Sequence, residues 1–318
     1  MPAYTATAPG KVILFGEHAV VYGRPAIAAP VGGVKARAVV SAAPLRPAGE
    51  VLIQAPDIGL ACPLADLPGD HPLVCAVNGV LAELGAPRLP ACTVRITSTI
   101  PVAAGMGSGA AVSVAVIRAL SAFLGSPLAD ERVSALAYEV EKLHHGTPSG
   151  IDNTVITYEL PVYFVRGQPI QTLSLPRPFT LVIGDTGIAS PTAVAVGDVR
   201  RAWQANPSGA EALFDRVGQI AQAARAAIES GQTDELGPLM NENQALLRQM
   251  GVSSPELERL IQAARDAGSA GAKLSGGGRG GNMIALATDE NAASIGRALL
   301  EQGAVRTLIT TIQAPSDD

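Results

Sequence analysis

The chain has 318 residues, enough for two domains with cores of their own. It is 47% hydrophobic, 16% charged and only 3% aromatic, so its cores must be built from Ala, Val, Leu and Ile. A formal charge of −5 argues against nucleic acid as a partner, although it leaves room for phosphates gripped locally. Cys62, Cys75 and Cys92 are odd in number and lack C-x-x-C spacing. They fit a reducing compartment, with neither a disulfide framework nor a zinc site. The apolar run from Val12 to Phe15 is too short for a cleavable signal. The longest uncharged stretch, Ile96 to Ile117, is broken by Pro101 and closely spaced glycines, so it is not read as a membrane span. The expectation is a cytoplasmic protein with no membrane partner.

Residues 4 to 15 predict a strand interrupted by Pro9-Gly10 and carrying Lys11. Glu17 and His18 then stand between apolar runs, and such a pair is costly to bury unless partnered. A satisfied pair in a turn is the plain alternative. Alternating patterns at Val34–Val40 and Val51–Gln54 predict strands, residues 55 to 72 a loop, and residues 73 to 84 an apolar helix. A further strand (Val94, Ile96, Ile100) runs into Pro101 and the turn Gly105-Met106-Gly107-Ser108-Gly109, with a helix of small and apolar residues from Ala110. Glycines let the backbone N–H groups point inward, and the helix start adds roughly half a positive charge, so this is a candidate anion site. An empty glycine turn is the rival reading. A Rossmann fingerprint fits poorly, because Asp130 and Glu131 open a helix rather than end a strand, and no Walker A loop occurs.

Gly125 ends one helix, and Ser126 as N-cap with Pro127 at the first helical position start the next, with Asp130 and Glu131 near its positive end. In the second, Val133, Leu136, Ala137, Val140 and His144 form the stripe and Glu141 hangs at its edge, facing inward more than a solvated Glu should, although a surface salt-bridge residue is the commoner explanation. The loop His145 to Asn153 delivers Asp152 just before Val155-Ile156, read as an apolar strand; Asp152 is otherwise a turn-former. The proline-rich stretch from 159 to 180 marks the passage between domains, giving 1–178 and 179–318. The second half predicts a strand at Leu181–Ile183, a helix opened by Pro191-Thr192, and a long helix behind a Ser208/Glu211 capping box. A helix at 234–250 follows, then one capped by Ser254-Pro255, strands around 272–274 and 283–287, a helix at 289–302 and a strand at 305–312. The PSDD tail is read as disordered. This order is an α+β sandwich of split-βαβ type. Between two adjacent strands, residues 275 to 281 hold five glycines in seven positions, a large entropic cost unless backbone must approach something closely. Arg279 among them is a natural phosphate partner.

Taken together, three segments in this order resemble the GHMP small-molecule kinases: APGKVILFGEHAVVYG at 8–23, PVAAGMGSGAA at 101–111 and KLSGGGRGGN at 273–282. HGTPSGIDN at 145–153 matches the wording of the catalytic loop in the branch that acts on mevalonate. The resemblance implies a two-domain α+β fold, with a ribosomal-protein-S5-like N-terminal domain, a ferredoxin-like C-terminal domain and an ATP cleft between them. It implies ATP- and Mg2+-dependent phosphorylation of the 5-hydroxyl of mevalonate. Asp152 would take the hydroxyl proton, or position that hydroxyl, and Lys11 would hold the hydroxyl and the transferring group. Glu17, His18 and Thr192 would lie on the substrate side, with His18 suited to the carboxylate or to a hydroxyl. Ala103, Ala104, Gly105, Met106, Gly107, Ser108, Gly109, Ala110 and Ala111 would wrap the ATP phosphates. Gly277, Gly278 and Arg279 would face them, and Glu141 with Ser108 would hold Mg2+.

The chain departs from the family wording in two places. Gly109 stands where a second serine is usual, and Arg279 brings a charge into the third segment. Rival readings are phosphomevalonate kinase, another GHMP kinase, or a non-catalytic metabolite sensor. A sensor should have lost Lys11 or Asp152, and both are present. Members acting on galactose follow Gly-Glu-His with an Asp, whereas Ala19-Val20-Val21 here suits a small, partly apolar acid. A homodimer is an open assembly state.

Overall fold

The computed structural model describes residues 3–101, 105–145, 148–169, 171–190 and 192–313. Ala103 and Ala104, Gly146 and Thr147, Pro191 and the PSDD tail lie outside them. The chain forms two compact units that interleave in sequence. One comprises Met1–Gly10, Val34–Pro101 and Gly107–Glu159; the other comprises Lys11–Gly33, Val102–Met106 and Leu160–Asp318. The cause is strand length, because β1 (Ala3–Phe15) and β2 (Ala26–Ala42) each begin in one unit and end in the other. Pro9-Gly10 does not interrupt β1, which pairs with β2.

In the first unit, β3 (Val51–Ala55) is followed by β4 (Leu60–Pro63), a short hairpin partner inside the stretch expected to be loop. After α1 (Pro72–Leu84) comes β5 (Cys92–Ser98), which pairs parallel with β3 and antiparallel with the later part of β2. Three helices complete the unit: α2 (Ser108–Phe123), α3 (Asp130–His145) and α4 (Ile151–Tyr158); α3 starts at Asp130, three residues beyond the expected Pro127. Helix α2 packs against α1, α3 and α4, and buries Ala, Val, Ile and Leu from Ala110 to Leu120. The apolar run at Val155-Ile156 belongs to α4 and is not a strand. Gly150, in the left-handed region, precedes that helix; the Ser149 Oγ accepts from the Ile151 N–H at 3.3 Å, and the Thr154 hydroxyl donates to the Gly150 carbonyl at 2.6 Å. Two apolar residues carry no period of their own, so this start decides their conformation.

The second unit begins its strands inside the proline-rich passage, with β6 (Val162–Phe164) on the early part of β2 and β7 (Gln171–Thr172) on β6. There follow β8 (Phe179–Asp185), α5 (Thr192–Ala205), α6 (Pro207–Glu229), α7 (Leu236–Gln249), α8 (Pro255–Asp266), β9 (Gly271–Ser275), β10 (Asn282–Ala287), α9 (Ala292–Glu301) and β11 (Arg306–Ile312). The sheet runs β11-β8-β10-β9 and is antiparallel throughout, which is the expected split-βαβ arrangement. Its inner strands β8 and β10 are buried along their whole length, with Ile183 opposite Ile284 and Ile284 opposite Lys273. Ser254 caps α8 as expected, accepting from the Leu257 N–H at 3.4 Å. Helix α6 starts two residues earlier than its expected box, because Asn206 followed by Pro207 is the better start; its side chain accepts from the Gly209 N–H at 3.2 Å. No helix among the described residues is long and apolar enough to cross a membrane.

Candidate active site

In the second unit, the end of β1 and the turn after it are tied to β9 and the loop that leaves it. Gly16 has φ +98, and a Cβ there would run into the backbone of Ala26. The turn therefore has one course, and it drives Glu17 and His18 inward, 1% and 6% exposed. The Lys273 ammonium meets Glu17 Oε1 and donates to the Leu274 carbonyl at 2.6 Å. The His18 Nε2 lies 3.1 Å from the Gly277 carbonyl. Since a carbonyl only accepts, Nε2 carries the proton and Nδ1 is left as an acceptor. Neither Nδ1 nor Glu17 Oε2, both buried, has a hydrogen-bond partner among the described residues. Burial holds His18 at a pKa of about 4. Burial also pushes the Glu17 carboxyl up, while Lys273 and then Lys11 pull it back down. Lys11 is itself buried, and its N–H donates to the Met106 carbonyl at 3.1 Å, joining the first segment to the glycine turn. Ser275 Oγ accepts from the Ile13 N–H at 2.9 Å and donates to its carbonyl at 3.0 Å.

The glycines at 275–281 answer to the protein's own chain. A Cβ on Gly277 would stand 2.6 Å from the Thr192 hydroxyl, and one on Gly278, at φ +75, would collide with the Val252 carbonyl. The Arg279 N–H donates to that same carbonyl at 2.8 Å. The Arg279 guanidinium pairs with Asp198 on α5 and donates to the Gly251 carbonyl at 3.2 Å, so its charge is met within the unit. The loop thus brings together His18 and Thr192, two residues expected on the substrate side.

In the first unit, α2 opens at Ser108 behind Gly107, which has φ +70, and no side chain caps this end. Gly109 is exposed, and a Cβ there would meet nothing within 4 Å. Ser113 donates to its carbonyl at 3.0 Å. Glu141 is 7% exposed, which removes the surface salt-bridge alternative. Asp152 sits half-buried in the first turn of α4. Its neighbour Asn153 donates to the Ser134 carbonyl and hydroxyl at 3.2 and 2.9 Å, bolting α4 to α3. Among the described residues no cluster of three or more His, Cys, Asp or Glu could hold a metal. A buried carboxylate such as Glu141 and a hydroxyl such as Ser108 are donor types that suit Mg2+, which keeps waters and takes phosphate oxygens.

Lys273 and Asp198 received no role in the sequence reading. For Lys273 a signal existed: a lone lysine between Ala272 and Leu274 in an apolar strand must be partnered if buried.

The model of the GHMP kinases N terminal domain matches residues 72–159, and that of the GHMP kinases C terminal domain matches residues 224–305. The mevalonate kinase of Pyrococcus horikoshii is 38% identical over 302 residues, covering 89% of this chain and 88% of its own. That of Aeropyrum pernix is 36% identical over 294 residues, covering 89% and 88%. Among solved structures, L. major mevalonate kinase in complex with R-mevalonate matches with a TM-score of 0.83 at 34% identity, over 99% of this chain and 97% of its own. Likeness of this extent, in sequence and in fold, leaves one conclusion: the chain belongs to the GHMP kinases.

Proposed function

We propose that this chain transfers the γ-phosphoryl group of ATP to the 5-hydroxyl of mevalonate, giving 5-phosphomevalonate and ADP on the route to isoprenoids. The observation that carries the reading is end-to-end likeness to proteins named mevalonate kinase, one of them solved with R-mevalonate. Phosphoryl transfer needs alignment and charge neutralisation more than covalent chemistry. Asp152 takes or orients the acceptor proton, and Lys11 holds the acceptor oxygen and the transferring group. Residues 105–111 wrap the phosphates, and Glu141 with Ser108 would hold Mg2+, which would neutralise phosphate charge. Gly277 and Gly278 meet nucleotide through backbone, since the Arg279 guanidinium is engaged by Asp198. Glu17, His18 and Thr192 face the acceptor. A neutral His18 with Nδ1 as acceptor suits a hydroxyl of the substrate and not its carboxylate, which would need a donor. The enzyme acts in the cytoplasm, without nucleic acid or membrane.

ADP release measured over mevalonate, phosphomevalonate, homoserine and galactose tests the reading: mevalonate should be the preferred acceptor, and preference for homoserine or galactose overturns it. Asp152→Asn should lower kcat by about 10²-fold or more with little change in ATP affinity. A near-normal rate in a folded Asp152→Asn variant would make Asp152 only a turn residue.

A further inference from the structure

Lys273 has no part in the roles given above, yet it is 0% exposed in the middle of the unit's edge strand β9. Its ammonium is consumed by one oxygen of Glu17 and by the Leu274 carbonyl. For stability alone such a pair is unremarkable, because an apolar pair of the same volume often serves a fold as well or better. What the pair does supply is direction. With Oε1 pinned, Glu17 presents Oε2 along one line, and that oxygen is buried with no hydrogen-bond partner among the described residues. Four residues after Lys273, the Gly277 carbonyl does the same for the neighbouring His18, leaving Nδ1 without a partner. One strand and the loop leaving it thus hold two adjacent side chains, each with one polar atom spare.

We propose that Lys273 is a positioning residue, which pins one oxygen of Glu17 so that the other is aimed at the acceptor, and which acts on the reaction only through Glu17. The proposal rests on the reading that Glu17 and His18 face mevalonate. The charged and titratable groups near Glu17 are Lys273 from β9, Lys11 from β1 and His18 beside it, which in turn feels Arg279. Without Lys273, the largest influence opposing burial is gone, and Glu17 takes up a proton at higher pH than before. The damage should therefore be greatest at low pH and shrink as pH rises.

The test uses the full chain. In Lys273→Met, KM for mevalonate should rise about tenfold or more at pH 7 and less at pH 9, while KM for ATP stays within about twofold. Mevalonate binding without turnover should shift alike, read from the fluorescence of Trp203, the sole tryptophan, which lies 5.5 Å from the Tyr22 ring. Should Lys273→Met fail to fold, as an unpaired buried carboxylate can cause, Glu17→Gln is compared with Lys273→Met/Glu17→Gln, an uncharged pair of similar volume. Their KM values for mevalonate should agree within about twofold. A further tenfold loss in the double variant, about what direct contact with substrate would give, overturns the proposal. So does a Lys273→Met loss shared by KM for ATP. A wild-type chain that ignores mevalonate overturns the functional reading and this inference with it; an active wild type beside a silent Lys273→Met overturns the inference alone.

Discussion

His18 illustrates how a single buried side chain ties function to stability. Its pKa falls from 6.5 to about 4, with burial as the main cause and the Gly277 carbonyl working against it. The unfolded chain therefore binds a proton that the folded chain refuses. Stability should be full above pH 6.5 and decline as pH falls toward 4, by roughly 3 kcal/mol from this group. Urea unfolding at pH 4.5, 5.5 and 7.5 would show the slope, and His18→Asn, which tolerates φ +60, should flatten it by that amount. An unchanged slope in the variant would mean that His18 is not held neutral. Glu17 and His18 were legible in the sequence as polar residues stranded among apolar ones. Their partners were not, because Lys273 and Gly277 are 256 and 259 residues distant from them and no local pattern links the two. Arg279 was legible as a cation among glycines, but only packing shows that Asp198 already meets it.

Among elements, the long periodic ones were readable and the short ones were not. The stripe of α3, the cap of α8 and the chain order of strands and helices in the second unit follow from the sequence pattern. β4, β6 and β7 span two to four residues, too few to show alternation, and pairing partners create them. Glu141 was only half legible: its place at the edge of the α3 stripe fits either a surface salt bridge or burial, and packing decides for burial. Gly109 at the start of α2 has open space where a Cβ would go, so Gly109→Ser should be harmless to the helix. If Glu141 is the charged ligand of Mg2+, Glu141→Gln should raise the magnesium concentration for half-maximal rate and lower that rate. Gly109→Ser should alter both far less. A Glu141→Gln variant that titrates with magnesium as the wild type does would leave Glu141 a packing residue of α3.

At the scale of the whole chain, the two units exchange segments. The proline-rich passage joins the second unit, although the sequence marks it as a border: Pro and Gly signal irregular backbone, not which core it packs on. Residues 11–33 join the second unit too, so the turn bearing Glu17 and His18 is built together with α5, α6 and β9. This bears on which acceptor is chosen. A phosphorylated acceptor would need a cation to spare near that turn, and Arg24 is the nearest one in sequence. The fold commits it, since its guanidinium pairs with Glu211, donates to Asp215 at 2.8 and 3.0 Å, and donates to the Tyr22 carbonyl at 2.7 Å. Lys273 is likewise enclosed by Glu17 and Leu274. Adding a phosphate to the acceptor would bring charge to a turn whose own members are a carboxylate and a neutral imidazole. Turnover on mevalonate should therefore exceed that on phosphomevalonate by at least about 100-fold in kcat/KM, roughly 2.7 kcal/mol of transition-state binding. Arg24→Ala should not narrow the gap, because that cation serves α6 and not the acceptor. Equal turnover of the two acceptors by the wild type would show that a cation does reach the substrate phosphate, and that this turn does not select for mevalonate.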